Sequence, residues 1–222
     1  MPTNKRILLS EIPKGKLTEE HFSSDEVETD PIGDGEVLLK TLILSQDAAN
    51  RAWMQGATYR SALSSGQVMS SGGIGQVVES NDDRFEVGQI VSGDIGWQEY
   101  AVLPGNRIGA VRAHAGPLSH GLSLLGVAGL TAYHGLINVP GIHAGETLLV
   151  SAAGGSVGSI VGQIGRIKGA KVIGIAGGTE KCQWVVDELG FDACIDYKDT
   201  SAPLRTQLGE VAPDGIDVYF DN

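Results

Sequence analysis

The stretch LLVSAAGGSVGSIVGQIGRIKGAKVIGIAGGTEK, residues 148–181, decides the fold of the second half of the chain. It begins with an apolar run typical of a buried parallel strand, passes through a glycine-rich turn and becomes helical in its pattern. The predicted apolar face of this helix consists of Val157, Ile160, Val161, Ile164 and Ile167. A second apolar run, AKVIGIAG, follows the helix. A strand, a helix and a strand in this order predict a βαβ unit.

The sequence on both sides of this stretch divides the chain into two domains. Downstream, EKCQWVVDELG, DACIDY, APLRTQLGEVA and GIDVYFDN alternate between helical and strand patterns, which predicts an α/β fold with a doubly wound parallel sheet. Upstream, short apolar runs at roughly ten-residue spacing with glycine between them predict a compact, barrel-like β unit. The segment 119–139 predicts a helix with Ser119 or Ser123 as its cap. We place the boundary after residue 118, so that the domains span 1–118 and 119–222.

Charge and composition exclude several classes of partner. The net charge of −11 repels phosphate, so we expect neither a nucleic-acid nor an anionic-membrane partner. No apolar run approaches the roughly 18 residues needed to span a bilayer, and the N-terminus does not read as a signal peptide. We therefore expect a cytoplasmic protein. Cys182 and Cys194 are interpreted as small buried hydrophobic residues, with a disulfide as the less favoured alternative.

The glycine-rich turn allows two interpretations. A strand, a tight turn over 152–156 and a following helix form the context that a dinucleotide fingerprint needs. Gly155 would let the backbone approach a pyrophosphate, Gly158 would let the helix pack on the strand, and the helix N-terminus would donate N–H groups. However, Ala153 holds the first glycine position of the G-x-G-x-x-G pattern, and the alternative is a turn without a ligand. The repeated βαβ context favours a nucleotide.

The end of the second strand indicates which nucleotide this would be. Sites that prefer NAD place an acidic residue there, about 20 residues past the glycines, to hold the ribose hydroxyls. Here the strand ends in IAGGTEK, so that Gly177 and Gly178 leave room and Glu180 comes late, beside Lys181. A roomy turn with a lysine suits a 2′-phosphate, and we predict NADP(H). The alternative for Lys181 is an ordinary solvated helix residue.

Five segments together carry a resemblance to a known family: GWQEYAVL (96–103), GLTAYHGL (129–136), AGETLLVSAAGGSVGSIVGQIGRIKGAKVIGIAGGTEKC (144–182), ELGFDACIDYK (188–198) and PDGIDVYFDN (213–222). Over nearly its whole length the chain resembles the zinc-independent, NADP-dependent alkenal, prostaglandin and curcumin reductases of the medium-chain dehydrogenase/reductase superfamily. The resemblance implies a GroES-like β-rich domain with substrate and catalytic groups, followed by a Rossmann NADP-binding domain.

Carried over residue by residue, the resemblance implies a set of cofactor contacts: Gly155, Ser156, Val157, Gly158, Lys181, Tyr197 and Asn222. The alternative for Tyr197 is an aromatic residue that covers a sheet edge. In the family a Gly-Gly pair usually follows the position of Asn222, so we expect a C-terminally truncated chain with a partial Rossmann sheet. Such a sheet exposes an edge and a buried face, and we expect poor solubility for residues 1–222 alone.

Departures from the family pattern bear on metal and substrate. Zinc-dependent members carry a cysteine, a Gly-His-Glu motif and a four-cysteine lobe, whereas the matching regions here read LSQDAANRAWM and MSSGGIGQVVES. The five histidines show no ligand spacing, so we predict no metal. Many relatives read Asp-Pro-Tyr-Met-Arg where Ala49 replaces the aromatic residue here. Asn50, Met54 and Tyr59 are candidates to line the substrate site, with ordinary packing as the alternative for each.

The resemblance implies NADPH-dependent reduction of the C=C bond of α,β-unsaturated ketones or aldehydes, with hydride delivered to the β-carbon. The alternatives are quinone reduction on the same scaffold and an NADP-binding protein without catalysis. The family's proton-donating tyrosine falls beyond Asn222, so the catalytic residue of this chain is unknown. For the full-length protein we expect a homodimer.

Overall fold

The computed structural model describes residues 1–58, 60–111 and 114–222, and these form two compact units, Met1–Leu122 and Ser123–Asn222. The candidate residue Tyr59 lies outside the described residues. The predicted assignment of substrate and cofactor roles to domains 1–118 and 119–222 stays a prediction. Within the described part of the chain, no helix is both long and apolar enough to cross a bilayer.

The first unit is built from antiparallel strands and one short helix. In chain order these are β1 (Thr3–Leu9), β2 (Phe22–Glu28), β3 (Glu36–Leu44), α1 (Ala48–Trp53), β4 (Gly73–Ser80), β5 (Ile90–Gly93), β6 (Tyr100–Pro104) and β7 (Ile108–Ala110). Strands β1 and β2 pair with each other, and the other five form a sheet in the order β6-β3-β4-β5-β7. Inward-facing side chains of β3 to β5, including Val37, Leu39, Val77 and Val91, form its core. This arrangement confirms the predicted GroES-like β-rich unit.

The second unit confirms the predicted doubly wound sheet. Its elements are α2 (Val127–Tyr133), β8 (Thr147–Val150), α3 (Ser156–Ile167), β9 (Lys171–Ala176), α4 (Thr179–Asp187), β10 (Ala193–Asp196), α5 (Leu204–Val211) and β11 (Val218–Phe220). The strands lie in the order β10-β9-β8-β11, and every neighbouring pair is parallel. Buried side chains of the strands and of α3 fill the core between them.

The continuous helix predicted over 119–139 is wrong. A 3₁₀ turn at Leu118–Gly121 comes first, and α2 begins only at Val127, with Gly126 rather than a serine at its N-cap. The chain between them folds back, because the N–H groups of Gly126 and Gly129 both donate to the carbonyl of Ser123. A Cβ on Gly129 would lie 1.7 Å from the Leu124 carbonyl oxygen, so only glycine fits there. After α2, a π-helical turn over His134–Asn138 closes the segment.

Helix α3 packs on the core with four of its five predicted apolar residues, Val157, Ile160, Val161 and Ile164. Its buried positions also include Gly158, Gly162 and Gly165, whereas the fifth predicted residue, Ile167, is 83% exposed. At 100° per residue, Ile167 lies on the side of the helix opposite to these glycines. The glycines let α3 approach closely, since a Cβ on Gly162 would lie 1.8 Å from the ring of Phe191. The predicted apolar face is therefore confirmed except at Ile167, and the glycines that lie closest to the sheet were not part of the prediction.

We predict that Gly162→Ala destabilises the second unit by about 1–3 kcal/mol, because the added methyl overpacks against the buried Phe191. Gly209→Ala in α5 is the matched control, since no atom lies within 4 Å of a Cβ built there. It is expected to stabilise the helix by up to about 1 kcal/mol through propensity alone. Urea unfolding followed by circular dichroism measures both, and equal effects of the two substitutions would contradict the close packing.

Candidate nucleotide-binding site

The loop between β8 and α3 folds back over β9. Ala152 has a φ of 45°, which makes it the one non-glycine residue with left-handed backbone in the described ranges. The N–H of Ala153 then donates to the carbonyl of Ile175 at 3.0 Å, and the N–H of Gly155 donates to the carbonyl of Ala152 at 2.8 Å. These two bonds set where the chain enters α3 at Ser156.

Two glycines of the loop are required by one carbonyl group. A Cβ on Gly158 would lie 2.4 Å from the Ala152 carbonyl oxygen, and a Cβ on Gly155 would lie 3.0 Å from it. The first turn of α3 therefore lies directly on the end of β8. Gly155 is the N-cap of this helix, and no side chain caps it. The first-turn N–H groups lack intrahelical acceptors, and they are suited to an anion.

The Ala153 side chain explains why the usual fingerprint is broken at this position. Its methyl group is fully buried and lies 2.8 Å from the position that a Cβ on Gly174 would take. A glycine in β9 thus makes room for the alanine in the loop. The departure from G-x-G-x-x-G is compensated across the sheet and does not distort the turn.

Lys181 lies against the same loop. Its Cγ and Cδ atoms each lie 2.9 Å from the position of a Cβ built on Gly154, so its aliphatic stem crosses the glycine turn. The residue belongs to the first turn of α4 and is exposed. The missing side chain at Gly154 therefore positions a cation beside the N-terminus of α3.

The turn between β9 and α4 is held by the end of β10. Gly178, with a φ of 101°, donates its N–H to Oδ1 of Asp196 at 2.7 Å. This hydrogen bond, and a second one from the Lys198 N–H, keep the pKa of Asp196 below its ordinary value. The Tyr197 ring covers Gly177, where a Cβ would lie 2.6 Å from the phenol oxygen. The carboxylate at the end of β10 is therefore occupied by the N–H groups of these turns.

The ends of β8 and β11 are joined by a side-chain network that sequence reasoning missed. The Ser151 hydroxyl donates to Oδ1 of Asp221 at 2.8 Å and accepts the N–H of Asn222 at 2.8 Å. The Tyr219 hydroxyl donates to the same Asp221 oxygen at 2.8 Å. Donation by Ser151 and Tyr219 holds the pKa of Asp221 below its ordinary value. The sequence could have indicated this network only through position, because Ser151 and Asp221 each follow the last residue of a predicted parallel strand.

The structure brings the predicted cofactor residues to one edge of the sheet. Parallel strands end on the same side, which is where ligands of open α/β sheets bind. This edge is formed by four segments: the loop after β8, the first turn of α4, the residue after β10 and the two residues after β11. Its predicted members are Gly155, Ser156, Val157, Gly158, Lys181, Tyr197 and Asn222.

The predicted substrate residues lie in the first unit and have internal partners. Asn50 is buried, donates from Nδ2 to the carbonyl of Ser70 at 2.7 Å and accepts the N–H of Asp47 at 2.8 Å. Met54 is 2% exposed and packs with Leu9 and Met69. Their substrate-lining role stays a prediction. Among the residues that the structure describes, no three His, Cys, Asp or Glu side chains group as a metal site requires.

Comparison with known proteins agrees with this architecture. A family model for the N-terminal domain of oxidoreductase matches residues 5–111. The chain is 40% identical over 220 residues to the NADPH-dependent curcumin reductase of Escherichia coli, covering 99% of this chain and 63% of that protein. It is 34% identical over 226 residues to the NADP(+)-dependent 2-alkenal reductase of Nicotiana tabacum, covering 99% of this chain and 66% of that protein.

A solved structure matches nearly the whole chain. The crystal structure of CurA in complex with NADPH from Vibrio vulnificus is 41% identical, with a TM-score of 0.88, over 98% of this chain and 64% of that chain. The similarity is thus to the curcumin, prostaglandin and alkenal reductases. The chain spans between 63% and 66% of the length of the curcumin reductase, the alkenal reductase and CurA.

Two alanine substitutions in the loop are expected to have opposite effects. Ala152→Gly relieves a left-handed alanine, so we expect a stability change within about 1 kcal/mol on the stabilising side. Ala153→Gly restores the usual glycine pattern but removes a buried methyl, and we expect a loss of about 1–2 kcal/mol. Urea denaturation measures the free energy of unfolding of both variants and of the unchanged protein. A stabilising Ala153→Gly would refute the compensation by Gly174.

Proposed function

We propose that the chain binds NADPH at the carboxyl edge of its parallel sheet and is part of a reductase of α,β-unsaturated ketones and aldehydes. The observation that carries this proposal is the Lys181 stem lying across Gly154, beside an uncapped helix N-terminus. This arrangement combines a cradle for a diphosphate with a cation for one further phosphate.

The loop fits a dinucleotide diphosphate. Gly155 and Gly158 let the Ala152 carbonyl pack against the first turn of α3, so the N–H groups of that turn lie at the end of β8, where a diphosphate would bind. The 12-residue helix α3 begins at this point and directs its positive dipole end towards the anion. Asn222, with its N–H fixed by Ser151, would border the same cofactor.

The neighbouring turn favours a 2′-phosphate over a free ribose hydroxyl. Two glycines follow the end of β9, and backbone N–H groups occupy the carboxylate of Asp196. Lys181 supplies the accessible charge. A carboxylate that held the ribose hydroxyls of NAD would repel the additional phosphate of NADP. Tyr197, an exposed side chain whose ring lies against Gly177, would border the ribose. The relatives whose names specify NADP or NADPH support this choice.

The substrate class comes from the same relatives. A 2-alkenal is an aldehyde with a C=C bond beside its carbonyl group, and the name of the tobacco relative specifies its reduction. When bound, NADPH supplies the hydride that such a reduction delivers to the β-carbon. The residues of this chain bind and orient the cofactor, and no residue is assigned as the proton donor. A homodimer of the complete protein stays a prediction.

NADPH oxidation with a small enone, with a quinone and without acceptor tests this function in the full-length protein. We expect turnover with the enone. Turnover with the quinone alone would favour quinone reduction on the same scaffold. Tight NADPH binding without turnover on either acceptor would favour a binding protein without catalysis.

Lys181→Ala is expected to weaken NADPH binding by roughly 10- to 100-fold, because a charge-assisted contact to the 2′-phosphate is lost. NADH binding should change little, since NADH lacks that phosphate. Lys168→Ala is the matched control, because this lysine lies at the opposite end of α3 and should leave both affinities unchanged. Fluorescence titration of the reduced cofactors measures both. An equal loss for NADPH and NADH in Lys181→Ala would refute the 2′-phosphate assignment.

A further inference from the structure

A cavity of about 580 Å³ lies in the second unit, beside β10 and between α4 and α5. Strand β10 stands at the end of the sheet, so the cavity lies away from the β8–α3 loop. Its lining includes the side chains of both cysteines of the sequence, Cys182 from α4 and Cys194 from β10. Neither thiol has a place in the proposed cofactor site.

The two thiols lie where α4 packs on β10. Both are free thiols, and both line the same cavity. Cys194 is fixed against β9, because its sulfur lies 3.2 Å from the position of a Cβ on Gly174. Burial and the neighbouring Cys182 thiol raise the pKa of Cys194, so Cys194 holds its proton.

We propose that Cys182 and Cys194 form a dithiol modification site, which a small-molecule disulfide converts to an intramolecular disulfide through the adjoining cavity. The Cys182 thiolate attacks one sulfur of the small disulfide and releases its other half as a thiol. Cys194 then attacks the Cys182 sulfur of the mixed disulfide and releases the second half. Two S–H bonds of the protein are lost, one S–S bond forms, and two electrons reduce the small disulfide to two thiols.

The position of the pair links it to the cofactor edge. Cys182 directly follows Lys181, and Cys194 precedes Asp196 and Tyr197 by two and three residues. A disulfide requires the two sulfur atoms to approach to about 2 Å, and this approach draws α4 towards β10. The Lys181 stem and the Gly178–Asp196 hydrogen bond lie on the segments that move. We expect the closed disulfide to weaken NADPH binding several-fold, and this expectation rests on the proposed function.

Incubation of the full-length protein with oxidised glutathione tests the site. We expect the thiols of Cys182 and Cys194 to disappear from a thiol titration and the mass to fall by about 2 Da, with reversal by dithiothreitol. Peptide mass mapping identifies the linked pair. The urea-unfolded chain is the control for intrinsic reactivity. A folded chain that keeps both thiols while the unfolded chain loses them would overturn the proposal.

Single substitutions test the order of attack. Cys194→Ala should stop at a stable glutathione adduct with a mass gain of about 305 Da, whereas Cys182→Ala should react more slowly. Faster reaction of Cys182→Ala would overturn the assignment of Cys182 as the attacking thiol.

The coupling between the disulfide and cofactor binding is tested by comparing NADPH and NADH affinities before and after oxidation. Equal NADPH affinity in both states would overturn the coupling, and absence of NADPH binding in the reduced chain would contradict the proposed function instead.

Discussion

The contact between the Ala152 carbonyl and Gly158 is the constraint on which the second unit depends. A Cβ at Gly158 would come within 2.4 Å of that oxygen, so α3 can start at the end of β8 only if this residue has no side chain. The same absence recurs along the helix at Gly162 and Gly165, which face Phe191 and Leu148. Helix α3 therefore lies unusually close to the sheet, and its N-terminal N–H groups reach the edge where the strands end.

The candidate site follows the same principle of a missing side chain opposite a larger one. Gly154 receives the stem of Lys181, Gly177 receives the ring of Tyr197, and Gly174 receives the methyl group of Ala153. In each pair the glycine makes room for the side chain of its partner. A glycine count in the sequence indicates the turns, but only the pairing shows which side chain each glycine positions.

Local patterns were sufficient for the βαβ units, and they failed where a distant partner determines the structure. Strand β2 reads FSSDEVE, which is largely polar, and its extended form comes from pairing with β1. Helix α3 and four of the five residues of its apolar face were recognised, but the glycines that bring it closest to the sheet carry no hydrophobic signal, and Ile167 is exposed. The break before α2 depends on a carbonyl at Leu124 that occupies the space beside Gly129, which no propensity encodes. Among the site residues, the glycines and Lys181 were recognisable from spacing, whereas the Ser151–Asp221 network requires the register of β11 against β8.

The charge that lies nearest the N-terminus of α3 is opposite in sign to the net charge of the chain. The sequence carries a net charge of −11, an aspartate ends β10 and another follows β11. Asp196 accepts backbone N–H groups of its own turns, and Asp221 accepts hydroxyls and lies beside the Asn222 N–H, so the negative charge of both is held by local donors. Lys181, by contrast, is exposed beside the uncapped N-terminus of α3. An acidic protein can present a site for a phosphate-rich ligand in this way, because the field near the ligand is set by the nearest unneutralised groups and distant charges are screened by salt.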